Sequence, residues 1–197
     1  ITYATFKRSP FAKPWSTGSL YYSDTEAAEA MANFLGGTVS IDDKLVSGAK
    51  GVVDWGLKDL RMGYLDGYLA ASEVILSGDE RHRYIIEVRN NTLVPLKIVV
   101  SVDGHDVIDG KPATPSKRRY IVGPKHSVNI AGYRTSTFRF GRIKDSYAVL
   151  KTGESSNVGV IGVAVFAPEG KNPWKSTIDE DELRIRDNDS PFQERFA

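Results

Sequence analysis

Apolar positions in residues 83–166 come in short bursts separated by turn residues, and several bursts alternate with polar positions at a period of two. That is the pattern of strands with one buried face. The segments RYIIEVR (83–89), LKIVVSV (96–102), YIV (120–122), SVNI (127–130) and TFRF (137–140) all fit it. Asp103-Gly104 stands between the second segment and Val107-Ile108, a two-residue hairpin signal. Val158 to Phe166 is apolar on both faces, which predicts a central strand covered on both sides. Gly159 and Gly162 within it would let another backbone approach closely. About seven strands in roughly 85 residues predict an antiparallel β-sandwich, jelly-roll-like, or a small barrel.

The residues before this region follow other periods. Ser23-Asp24-Thr25-Glu26 has the form of a capping box opening an Ala-rich helix, which Gly36-Gly37 would close. Val53, Leu57, Leu60, Tyr64, Tyr68, Ala71 and Ile75 recur at three- or four-residue steps and predict a second, longer helix over residues 51–76. Gly56, Gly63 and Gly67 would lie inside it, each costing about 1 kcal/mol against Ala. The first twenty residues read as irregular, with Phe6, Phe11 and Trp15 among proline breakers. One helical turn is expected over residues 144–150. From Ala167 the chain reads as irregular again, anchored by Trp174, Phe192 and Phe196. The expected class is therefore α+β: an arm and helical region over 1–80, a β-sandwich over 81–167 and a C-terminal arm over 168–197.

Composition narrows the class without choosing a function. Of 197 residues, 41% are hydrophobic and 26% charged, ordinary for a soluble globular chain. No apolar run reaches the roughly 18–20 residues of a membrane span. The absence of cysteine excludes disulfides, thiolate metal sites and cysteine nucleophiles. It also fits export, and the Ile1 start fits a processed chain.

Charge is unevenly spread. Residues 1–80 hold 7 basic and 11 acidic side chains, residues 81–142 hold 12 and 4, and residues 167–197 hold 5 and 8. A basic strand region between acidic ends predicts docking of the ends, on their own subunit or on a neighbour. Phe11, Trp15, Trp174 and Phe192 are the expected partner-contact anchors.

Candidate chemistry is sparse. Asp103, Asp106 and Asp109, with His105 among them, could offer hard oxygen ligands to calcium. Their spacing is not that of an EF-hand loop, and Asp103-Gly104 and Asp109-Gly110 are good turn pairs, so turn chemistry is the expected role. His82, His105 and His126 form no zinc motif, and no Gly-x-Ser-x-Gly elbow exists. No cofactor and no enzymatic activity are expected. Lys117, Arg118, Arg119, Tyr120, Tyr133 and Arg134 interleave cations with aromatics, which suits an anionic glycan. Nucleic acid is not expected at a pI near 8.1 without a recognition motif.

VSVDGHDVIDGKPA (100–113), SKRRYIV (116–122), GYRTS (132–136), FRFG (138–141), DSYA (145–148) and NVGVIGVAVF (157–166) together resemble a domain of uncharacterised secreted proteins and lipoproteins of proteobacteria. The resemblance covers about residues 82–168, less than half of the chain. It implies export and brings no activity or catalytic residues. The link between Tyr133 and Phe138 is shorter than the resemblance leads one to expect, so no ligand role for that loop carries over. The expected function is a non-enzymatic structural subunit of an extracellular, cell-envelope or virion-like assembly, a homo-oligomer with arms that contact neighbours. The alternative is a secreted or periplasmic binding module for a glycan or another envelope ligand. Large oligomers in solution favour the first; a monomer with an aromatic-lined groove favours the second.

Overall fold

A computed structural model of the chain describes residues 13–36, 39–42, 44–80, 82–117, 119–133, 136–140 and 159–173. The first half contributes β1 (Ser16–Ser23), α1 (Thr25–Phe34), β2 (Val39–Ile41), β3 (Val46–Gly48), β4 (Val53–Asp59), β5 (Gly63–Tyr64), β6 (Gly67–Ala70) and β7 (Glu73–Ser77). The second contributes β8 (Arg83–Asn90), β9 (Leu96–Val102), β10 (His105–Asp106), β11 (Tyr120–Val122), β12 (Ser127–Ile130), β13 (Gly132–Tyr133), β14 (Ser136–Arg139) and β15 (Val160–Phe166).

Two sheets result. Sheet A runs β10-β9-β15-β1-β7-β6-β2, with β11 also on β9. Sheet B runs β13-β14-β8-β4-β3, with β12 also on β8 and β5 on β4. The β1–β7 pair is parallel, which the long connection through α1 and β2 to β6 makes possible. The sheets face each other as a sandwich. Leu20, Ile98, Val100, Ile161 and Val163 of sheet A and Trp55, Leu57, Tyr84, Ile86 and Val88 of sheet B fill one core. A smaller cluster forms on the other face of sheet A, where Ala28 and Ala32 of α1 pack against Ala70 and Ile75.

The mostly β sandwich agrees with the sequence reading, but the second helix does not exist. Residues 53–77 are four strands. Val53, Trp55 and Leu57 are buried at every second position, a strand period that a four-residue step also samples. Two turns break the segment. Asp59 Oδ1 accepts from the Arg61 and Met62 amides, at 2.7 and 3.0 Å, and Gly63 follows at φ 95°. Ala71 and Ser72, at φ 47° and 69°, make a two-residue hairpin between β6 and β7. Gly67 is required by close approach: a Cβ there would lie 2.1 Å from the Ile75 carbonyl oxygen.

Other corrections are local. The helix cap is Asp24 rather than Ser23; its carboxylate accepts from the Ala27 amide at 2.9 Å. Residues 16–23, read as mostly irregular, form β1 in the middle of sheet A between β15 and β7. β15 is central as expected, though Val160, Gly162 and Ala164 on its outer face are only half-buried. The backbone approach expected of Gly162 is a side-chain one, toward Ser101 Oγ. The division at residue 80 does not separate the sheets, since β4 pairs with β8 and β1 with β15. The turn expected over 144–150 lies outside the described residues.

The two sheets are tied at one end by a buried amide. Asn90 Nδ2 donates to the carbonyls of Val94, Val122 and Gly123 at 2.8, 3.1 and 3.0 Å. Its Oδ1 accepts from the Thr92 amide and hydroxyl, both at 2.8 Å. One side chain thereby satisfies buried backbone groups where β8 leaves sheet B and β9 enters sheet A.

Candidate functional site

The acidic run 103–109 sits where β9 turns into β10. Asp103 and Gly104, at φ 52° and 78°, form the two-residue hairpin expected from the sequence, and Val102 pairs with His105 across it. Asp103 is buried. Its Oδ1 accepts from Tyr22 Oη at 2.8 Å and from the Gly159 amide at 2.9 Å, while its own amide donates to the Val160 carbonyl at 2.9 Å. His105 Nδ1 lies 3.0 Å from the Asp103 carbonyl oxygen.

Aromatic rings close over this carboxyl. Tyr22 packs against Tyr84 and Phe140, with ring centroids 5.9 and 5.5 Å apart, and Tyr84 stacks on Phe138 at 5.4 Å. Tyr133 Oη donates to the Val102 carbonyl at 2.9 Å. Burial lifts the Asp103 carboxyl above the usual carboxylate range, and the bonds from Tyr22 and Gly159 oppose the rise without cancelling it. Burial also raises the Tyr22 and Tyr84 phenols far beyond the ordinary tyrosine range, helped by the Asp103 charge. Burial thus favours the neutral form of all three groups.

Asp106 has a different task. Its Oδ1 accepts from the Ile108 and Asp109 amides at 2.8 and 3.2 Å, an Asx turn. Its Oδ2 is buried without a hydrogen-bond partner among the described residues, and burial pushes this carboxyl up. Asp109, at the surface, accepts from Lys117 Nζ at 2.7 Å and from the Lys111 amide at 2.9 Å. Lys117 holds its carboxyl below the usual range. Turn bonds thus engage the carboxylates of Asp106 and Asp109, whereas that of Asp103 is held by β1 and the start of β15. Among the described residues no three acidic or histidine side chains gather as a cation's ligands would.

Of the basic and aromatic candidates, Lys117, Arg119 and Tyr133 are engaged by their own chain. Lys117 clasps Asp109. The Arg119 guanidinium lies 3.6 Å from the Phe166 ring centroid and donates to the Pro115 carbonyl at 2.7 Å. Tyr120, opposite Ile98 in β11, is half-buried against the core, and burial raises its phenol. Tyr133 is bound as described above, and Arg118 and Arg134 lie outside the described residues. Of the partner-contact candidates, Trp15 packs on its own chain: its amide donates to the Val165 carbonyl at 2.7 Å, and Lys50 Nζ stands 5.6 Å over its ring. Phe11, Trp174 and Phe192 are outside the described residues.

The sequence did not point to the apolar side chains that the fold leaves uncovered. Val39 is 65% exposed on the edge strand β2 and pairs with Leu69, itself exposed. Phe34, at the end of α1, is 89% exposed. Leu60 and Met62, at 59% and 73%, stand on the turn after β4. In the sequence Leu60 falls on the helical stripe of residues 51–76, and the Asp59-to-Gly63 turn spacing is the signal that places it instead on a turn. No family model matches the chain, and neither a curated protein nor a solved structure matches it.

Proposed function

We propose that the chain is a non-enzymatic structural subunit of an extracellular, cell-envelope or virion-like assembly, in which the sandwich is the rigid body and edge and arm contacts join neighbours. The observation that carries this reading is the apolar end of sheet A. Val39 and Leu69 are directly paired, share the sandwich-facing side of the sheet, and are left uncovered at its β2 edge. Phe34 is bare at the end of the helix on the opposite face. An edge strand with free backbone groups and apolar side chains is a template for another chain. The uneven charge supports a second copy as that chain, because net-acidic end segments complement the net-basic residues 81–142. The glycan-module alternative draws less support, since Lys117, Arg119 and Tyr133 already hold their own loops.

Light scattering after size-exclusion chromatography tests this on the full chain and on a V39D/L69D variant. The full chain is expected as an oligomer and the variant as smaller species. A monomer at all concentrations, with no change in the variant, would overturn the reading.

A further inference from the structure

A second exposed apolar group lies on sheet B, at the corner where β4 turns into β5. Asp59 bonds the Arg61 and Met62 amides and so fixes the turn, which leaves Leu60 and Met62 projecting on either side of Arg61 in the chain. Arg83 begins β8 at the same end of the sheet and lines one shallow hollow with Leu60 and Arg61. Arg139 of β14 is the direct cross-strand partner of Arg83. Like charges placed directly opposite each other destabilise a sheet. Among the described residues, none of Arg61, Arg83 or Arg139 has a carboxylate partner. The nearby carboxylates of Asp59 and Asp79 face His82 Nδ1, at 3.7 and 3.9 Å.

We propose that this corner, Leu60 and Met62 with Arg61, Arg83 and Arg139, docks on the surface of an anionic lipid bilayer. A rigid apolar tip among unpaired guanidinium groups matches the depth profile of such a surface. The two apolar side chains enter the boundary between headgroups and acyl chains, and the arginines meet lipid phosphates. Lipid phosphate also relieves the Arg83–Arg139 repulsion. A protein partner fits less well, because a stable interface buries about 800 Å² on each side and a three-residue tip supplies far less. The contact is peripheral: among the described residues no helix is long and apolar enough to cross a membrane. The inference goes beyond the assembly reading and uses different residues, so either can fail alone.

Co-sedimentation of the full chain with vesicles of phosphatidylcholine alone, or of phosphatidylcholine mixed with phosphatidylglycerol, tests it. Binding is expected to the mixed vesicles only, and to weaken with salt. L60S/M62S should bind about tenfold more weakly or worse, and R83Q/R139Q likewise. All four positions are on the surface, and thermal unfolding of each variant checks that it is folded. Failure to sediment with the mixed vesicles would overturn the proposal, as would undiminished binding by L60S/M62S. Complete competition by inorganic phosphate would reduce the corner to a simple anion site. A change in oligomer mass on L60S/M62S would make it a protein interface instead.

Discussion

Tyr22 and Asp103 lie 81 positions apart in the chain, yet the tyrosine hydroxyl donates to the carboxyl at 2.8 Å beneath a lid of aromatic rings. The bond joins β1 to the hairpin between β9 and β10, and the Gly159 amide on the same oxygen brings in the start of β15. Replacing Tyr22 by Phe keeps the ring packing and removes one donor from a buried carboxyl. A loss of about 1–3 kcal/mol is expected in urea unfolding. A variant as stable as the parent would show that the bond contributes nothing.

The same carboxyl should give stability a pH dependence of known sign. Burial raises the folded pKa of Asp103 above its unfolded value. Its contribution is therefore full below the unfolded value near about 4 and is lost as pH rises through the folded one. Asn at 103 tolerates the positive φ and keeps an acceptor oxygen, without the ionisation. Asp103→Asn should gain stability relative to the parent as pH rises from acid to neutral. Unfolding curves at several pH values check this, and a constant difference between the two proteins would refute it.

Residues 71 and 72 distinguish the hairpin from the helix that the sequence suggests. Both sit at positive φ, where Asn-Gly is favoured and Ala-Ser is strained. The double change A71N/S72G should stabilise the fold by about 1 kcal/mol. In a helix the same glycine would cost about that much, so the sign of the change in melting temperature decides the matter.

Core and surface isoleucines should part company. Ile98 is fully buried between the sheets, and its truncation to Ala is expected to cost about 2–5 kcal/mol. Ile121, nearby in β11 but on the exposed face, should cost within about 0.5 kcal/mol. Equal losses in denaturant titration would contradict the assignment of faces.

Asn90→Ala removes the donor and acceptor that satisfy Thr92 and three carbonyls. A buried polar group left unpaired costs about 1–3 kcal/mol, and several are exposed to that penalty together. A loss at or above the upper end is expected in thermal and urea unfolding. A loss below 1 kcal/mol would mean that the β8–β9 junction is held by other contacts.

What the sequence determined by itself is local and periodic. Strands β8, β9, β12 and β15 follow from alternation or a continuous apolar run, and the Asp103-Gly104 hairpin from two residues suited to positive φ. The roles of Asp106 and Asp109 as turn residues belong here too, because an Asx turn is closed by amides two and three positions away. The segment 53–77 was ambiguous for a physical reason: apolar positions four apart satisfy both a helix and a strand, and only pairing with β8, β1 and β2 decides. The placement of β1 at the centre of sheet A, the burial of Asp103 under Tyr22 and Tyr84, and the uncovered corners at Val39 and at Leu60 were decided by tertiary structure alone. Each depends on which strand lies beside or above another across tens of residues, and that relation leaves no periodic trace in the chain.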